Sequence, residues 1–288
     1  MKYGVNTFIW SEEFNRESLK LLPRIKEAGF DGVQVPLFRP ADFPAAEVRR
    51  GFEANGLECS VCGLFPDGQT LIGDDAAERR VALQHIKDTV RVAAETGADF
   101  VGGPLYCPIG YLPGRRRTAD EWKRAVEGYQ SVGETLISYG ITLAIEPINR
   151  FETFFLNTAA DSAALCDEVA HPNVGILFDT FHANIEEKDI GAAFRTLGRH
   201  LRHVHACEND RGIPGSGHFE WDQMFLALRD LNYDGWLTIE SFGFTGKIST
   251  AVCIWRDIES NPESIAFEGV KFLKSRVAAM ESAPALRA

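Results

Sequence analysis

Short apolar runs alternate with amphipathic stretches along the whole chain. The runs Tyr3–Thr7, Gly32–Pro36, Glu58–Leu64, Phe100–Gly103, Ile141–Glu146, Val174–Asp179, Leu201–Ala206 and Trp236–Glu240 read as eight strands. Several are nearly continuous in their apolar character, as parallel strands buried on both faces require. Helical patterns lie between them. Across Asp74–Thr96, residues Leu83, Ile86, Val90 and Ala93 recur three and four apart, and the pattern stops before Gly97. Thr118-Ala119-Asp120-Glu121 reads as a capping box opening a helix that runs to Tyr139 and stops at Gly140. Asn157-Thr158 opens another, and Pro262-Glu263 opens a last helix ending near Met280. Gly29, Gly56, Gly97, Gly140 and Gly235 mark returns from helix to strand. The alternation has a period of roughly 30–35 residues, which predicts an α/β fold, a single (β/α)8 TIM barrel. No linker divides the chain, so residues 1–288 are expected to form one domain, with a frayed tail over Ser282–Ala288.

Charge and composition narrow the function. A formal net charge of -11 argues against nucleic acid as a partner. No apolar run approaches a membrane span, and Met1-Lys2-Tyr3-Gly4-Val5 leads into the first strand without a signal region. A cytoplasmic protein with no membrane partner is expected. The six cysteines suit a reducing compartment. Cys59 and Cys62 form a CxxC, but residues three apart on a strand face opposite sides, so two buried thiols are the better reading.

Four polar residues change the picture. Glu146, Asp179, His205 and Glu240 each stand at the end of their own apolar run. Carboxyl ends of successive strands are where parallel α/β barrels place their chemistry. Three carboxylates and one imidazole meeting at that mouth would suit a divalent ion, Mn²⁺ foremost, with Co²⁺ or Mg²⁺ as alternatives. Each of them alone could instead cap the following helix or pair with a basic neighbour. His203, two residues before His205, points to the same face one layer deeper. Arg115-Arg116-Arg117 reads as a solvated lid or a subunit contact rather than a phosphate site.

Longer motifs follow these strand ends: Glu146-Pro147-Ile148-Asn149-Arg150-Phe151-Glu152, Asp179-Thr180-Phe181-His182, His205-Ala206-Cys207-Glu208-Asn209-Asp210-Arg211 and Glu240-Ser241-Phe242. Together they resemble the D-tagatose 3-epimerase family, which includes the D-allulose (D-psicose) 3-epimerases, among the xylose-isomerase-like TIM barrels. The resemblance extends from Gly4 to the last helix, including Tyr233-Asp234-Gly235 and Ile254-Trp255-Arg256-Asp257. It implies that Glu146, Asp179, His205 and Glu240 bind the metal and that Glu152, His182 and Arg211 hold a keto sugar near C1 and C2. Glu146 and Glu240 would exchange the C3 proton from opposite faces through an enediolate, with a homodimer or homotetramer as the assembly. Trp10 and Phe242 are the aromatic residues best placed by motif to wall the pocket. Phe14, Cys62, Leu105, Tyr106 and Ile109 are further candidates. Asn6 and Cys207 depart from the family pattern, which usually has an aromatic residue and a glycine there. An aldose–ketose isomerase, or an inositol-pathway isomerase or dehydratase, would use the same barrel and metal. A repair endonuclease needs more histidines than seven and a basic groove.

Overall fold

A computed structural model describes residues 1–243 and 247–282. Eight parallel strands close into a barrel in chain order: β1 Lys2–Asn6, β2 Gly32–Leu37, β3 Glu58–Gly63, β4 Phe100–Gly103, β5 Thr142–Ile145, β6 Val174–Asp179, β7 Leu201–His205 and β8 Trp236–Ile239. The outer ring consists of α1 Leu22–Glu27, α2 Ala45–Asn55, α3 Ala76–Glu95, α4 Ala119–Ser131, α5 Gly133–Tyr139, α6 Ala159–Val169, α7 Thr180–Glu186, α8 Ile190–Leu197, α9 Trp221–Asp230, α10 Lys247–Ala251 and α11 Glu263–Ser282. The expected strands are all present, with ends shifted by a residue at most. Beyond Ser282 the tail expected to fray lies outside the described residues. None of the described helices is long and apolar enough to cross a membrane.

Alternation along the strands divides the interior from the helix-facing shell. Val5, Val33, Val35 and Val61 are fully buried in the core formed with the surrounding helices. Phe100, Ala144 and Leu177 form a separate small cluster inside the barrel. His203 stacks on Phe100 at 4.4 Å between ring centroids and shares a 2.7 Å hydrogen bond between Nε2 and Thr238 Oγ1. That layer is the floor, and His203 lies there as its position below His205 requires.

Local chemistry sets the helix ends. Thr118 Oγ1 accepts from Glu121 N–H while the Glu121 carboxylate accepts from Thr118 N–H, so the capping box forms. Thr158 and Asp75 cap α6 and α3 with their side chains. The helix expected to reach Tyr139 unbroken instead turns at Val132. There Ser131 Oγ donates back to Gly128 O, and Gly133 packs so close to His171 that a Cβ would meet its ring at 2.7 Å. The return into β8 also differs: Asn232, not Gly235, adopts the left-handed conformation. Arg115 pairs with Glu121 and Arg117 with Asp161, so the triple-arginine run is tied largely to its own helices. Cys59 and Cys62 are both free and buried, as expected of thiols on opposite strand faces.

Candidate active site and metal centre

One irregularity in the sheet places the site. Between β6 and β7 the register shifts, so that Ile176 pairs with Leu201 but Leu177 pairs with His203. The extra residue, exposed Arg202, brings His205 rather than Val204 opposite Asp179. Glu146 and Glu240 lie one residue beyond β5 and β8. Glu146 N–H donates to Gly103 O, and Gly103 sits where a Cβ would come within 2.1 Å of Gly63 O, at φ 140°. Only glycine lets those strand ends close.

The four residues expected to bind metal converge. His205 Nδ1 lies 3.5 Å from Glu146 Oε1, 3.6 Å from Asp179 Oδ2 and 3.4 Å from Glu240 Oε2. One ligand atom from each lies within 4.8 Å of all the others, and all four side chains are buried. Those separations exceed hydrogen bonds. They fit ligands gathered at about 2.0–2.2 Å around one first-row cation. The other Asp179 oxygen, Oδ1, accepts from Phe181 N–H and caps α7, so the helix-capping reading and the ligand reading hold together.

A chain of hydrogen bonds fixes how His205 faces its neighbours. Asn6 Oδ1 accepts from Phe8 N–H at 3.0 Å, which turns the Asn6 amide NH₂ toward Gln34 Oε1 at 2.9 Å and Glu240 Oε1 at 3.1 Å. Gln34 Oε1 therefore accepts, and its partner His205 Nε2, at 2.8 Å, carries the proton. The lone pair is left on Nδ1, which is buried and makes no hydrogen bond. An unsatisfied buried acceptor facing three carboxylates is the arrangement a cation completes. Sequence reading gave Gln34 no role and treated Asn6 only as a departure.

Arg211, His182 and Glu152 form the adjoining wall, and none is a solvated loop residue. Arg211 adopts φ 67° and is 3 % exposed. Its NH1 donates to Asp179 Oδ2 at 2.6 Å and to Glu240 Oε2 at 3.2 Å, and its guanidinium lies between the Phe181 and Phe242 rings, 4.3 and 5.3 Å from their centroids. Glu208, absent from the expected roles, holds that loop: its carboxylate accepts from the N–H groups of Asn209, Gly215 and Phe219 and from the Trp221 indole. His182 Nδ1 accepts from Asn149 N–H at 3.2 Å and faces the Asn149 NH₂ at 2.9 Å. That NH₂ is identified by the 2.7 Å bond it donates to Glu152 Oε1. The other ring nitrogen, Nε2, lies 3.3 Å from Arg211 NH2, a donor only, so both ring nitrogens of His182 face donors. Glu152 does not pair with Arg150, whose guanidinium is taken by Glu186.

Electrostatics separate the groups. Burial pushes the Glu146 carboxyl up to about 7 against the opposing pull of His205, with Glu240 and Asp179 adding to the rise. At Asp179 burial acts the same way, but Arg211 and then His205 outweigh it and hold the carboxyl well below its usual range. Burial lowers the proton affinity of His205, yet Glu240 and the other carboxylates raise it well above the ordinary value. Nδ1 therefore sits where positive charge is strongly favoured. His182 is pushed down to about 3, chiefly by burial, and stays neutral near pH 7.

Two adjoining spaces, with Leu64, Ile109 and Ile248 in both linings, open above these residues. The inner one, about 30 Å³, is bounded by Glu146, Glu152, His182, Arg211, Glu240 and Phe242. Cys62 and Ile109 join its wall as expected, and Phe8 joins it unexpectedly. Leu105 and Tyr106 lie outside it, Tyr106 donating its hydroxyl to Glu146 O. Phe14 packs on Phe52. Trp10 donates its indole N–H to Glu263 Oε1, and its ring packs against Phe267 on α11.

Fold and site define an eight-stranded barrel with a buried carboxylate–imidazole cluster that could hold a divalent ion, and comparison with known proteins gives the family. The xylose isomerase-like TIM barrel model matches residues 22–276. The D-psicose 3-epimerase of Agrobacterium fabrum is 34% identical over 270 residues, covering 91% of this chain and 93% of the relative. The L-ribulose 3-epimerase of Mesorhizobium japonicum is 31% identical over 277 residues, covering 94% and 93%. The solved D-allulose 3-epimerase of Methylomonas sp., in complex with D-allulose, superposes with a TM-score of 0.91 at 26% identity over 96% of this chain and 97% of that one. The chain belongs to the xylose isomerase-like TIM barrel family and, within it, to the ketose 3-epimerases, enzymes of the isomerase class.

Proposed function

We propose that the protein inverts C3 of a free keto sugar of the D-tagatose, D-allulose or L-ribulose type. The observation that carries this reading is the approach of Glu146 and Glu240, from strands three apart in the barrel, to the same buried His205 nitrogen. A divalent ion held by Glu146, Asp179, His205 and Glu240, with Mn²⁺ as the first choice over Co²⁺ or Mg²⁺, would supply positive charge that makes the C3 hydrogen of a ketose more acidic. One glutamate, ionised, takes the C3 proton from its face of the sugar. The other, protonated, returns a proton to the opposite face, and the two exchange roles for the reverse reaction. Arg211 donates to sugar oxygens at C1 and C2, with His182 and Glu152 beside them, which keeps C3 between the glutamates.

NMR in D₂O with metal-reconstituted protein and a panel of free ketoses tests this. Deuterium at C3 with inverted product is the expected result. Deuterium at C1 or C2 with formation of an aldose would move the assignment to an aldose–ketose isomerase.

Two variants probe the supporting residues. Arg211→Ala should reduce kcat/KM at least about a hundredfold through loss of a buried charged contact. The loss should fall mainly on KM, and unchanged kinetics would remove Arg211 from substrate positioning. Gln34→Leu should weaken Mn²⁺ affinity about ten- to a hundredfold, since the residue orienting a ligating imidazole tunes the metal. Titration calorimetry giving wild-type affinity would show that the His205 orientation is set without Gln34. A homodimer or homotetramer is the proposed assembly, supported by the exposed Phe151, Trp255, Tyr111 and Leu112 on the loops of the catalytic face. Light scattering reads it directly.

A further inference from the structure

The inner space is too small for a sugar. Its 30 Å³ holds about two waters, so only the reacting end of a ketose can reach between the glutamates. The rest of the molecule must rise into the outer chamber, which shares the walls Leu64, Ile109 and Ile248 with the inner space. That chamber holds about 410 Å³. Pockets of roughly 300–1,000 Å³ enclose drug-sized ligands, so it exceeds what the last three carbons of a hexulose fill.

Its lining says what else would enter. Phe38, Phe65, Pro66 and Pro108 present apolar faces suited to the C–H side of a pyranose ring. Phe38 is held by stacking on Phe8 at 5.8 Å, and Phe65 packs edge-on to His85 at 5.7 Å. The charged residues among the chamber's described lining are Glu12, Glu13, Asp67 and Arg39. Arg39 is already paired with Glu13, and Glu12 accepts from Ile248 N–H. Among the described lining residues carboxylates outnumber cations, which disfavours an anionic tail such as a phosphate.

We propose that the outer chamber is a subsite for a neutral substituent on the far end of the ketose, and that the enzyme epimerises ketoses carrying a second sugar ring on the C6 oxygen. This rests on the 3-epimerase reading for the orientation of the sugar, reacting end inward. The reaction at C3 is unchanged: one proton leaves and one from solvent returns, with no bond to the substituent made or broken.

The test compares C3 deuterium exchange in D₂O for D-fructose, for its 6-O-α-D-glucosyl derivative and for D-fructose 6-phosphate, with Mn²⁺ present. The glucosyl ketose should exchange with kcat/KM within about tenfold of fructose, or better, and the phosphate far more slowly. Ala251→Trp fills the chamber from an exposed helix position. It should suppress exchange of the glucosyl ketose by about tenfold or more while free fructose still turns over. Fructose exchange without glucosyl-ketose exchange would overturn the subsite and leave the epimerase reading standing. Equal loss of both substrates in Ala251→Trp would overturn it too. Absence of exchange from every sugar would overturn the epimerase reading, and the subsite with it.

Discussion

Glu146→Gln and Glu240→Gln should each fold normally and lose about 10²- to 10⁴-fold in C3 exchange, the usual contribution of one acid–base group. Glutamine keeps the shape and removes the ability to hold or give up a proton. The fold should survive because Glu146 is placed by its backbone: its N–H donates to Gly103 O and its carbonyl accepts from the Tyr106 hydroxyl. Glu240 is different, since Oε1 accepts from Asn6 and Oε2 from Arg211. A glutamine NH₂ there must face one donor, so this variant should melt lower than Glu146→Gln. Deuterium incorporation at saturating Mn²⁺, with bound metal measured alongside, separates loss of proton transfer from loss of the ion. Near-full exchange in either variant would remove that residue from the chemistry.

The barrel and the four-residue cluster could be read from the chain because both depend on local pattern. An apolar run ending in Glu146, Asp179, His205 or Glu240 carries its own position along the barrel axis, and closure brings equal heights together. Residues that act across the closed barrel were not legible in this way. Gln34 and His205 are 171 positions apart, and Gln34 shows in sequence only as one polar residue inside an apolar strand. The signal existed: a polar side chain on the inward face of a buried parallel strand needs a partner. The bulge opposite Arg202 left no mark, since a shift by one residue depends on how two strands meet.

Loop residues show where motif and packing diverge. Asn149 lies inside a quoted motif, yet its function of holding both His182 and Glu152 appears only when the loops after β5 and β6 touch. Glu208 was legible as an acidic loop residue and nothing more, because the four donors that gather on it come from positions 209 to 221. Trp10 is another such case. Its place after β1 suggests the mouth, and α11 returns beneath it and offers Glu263 to the indole and Phe267 to the ring.

Chelation should abolish turnover and lower the melting temperature together. A ligand that binds only the folded state stabilises it by about 4 kcal/mol at a thousandfold excess over its dissociation constant. For a chain of this size that corresponds to a fall of roughly seven degrees when EDTA removes it. The coupling should be strong because the cluster gathers like charges away from water. Arg211 covers Asp179 and Glu240, but among the described residues no arginine or lysine pairs with Glu146. Mn²⁺ or Co²⁺ added back should restore both properties in one titration, since one site serves both. A variant that removes a ligand, Asp179→Asn, should show neither the EDTA-induced fall nor the rescue, because its folded state no longer holds the ion tightly. Turnover lost with no change in melting would place the ion outside this cluster. Full turnover in EDTA would end the assignment of Glu146, Asp179, His205 and Glu240 as a metal centre.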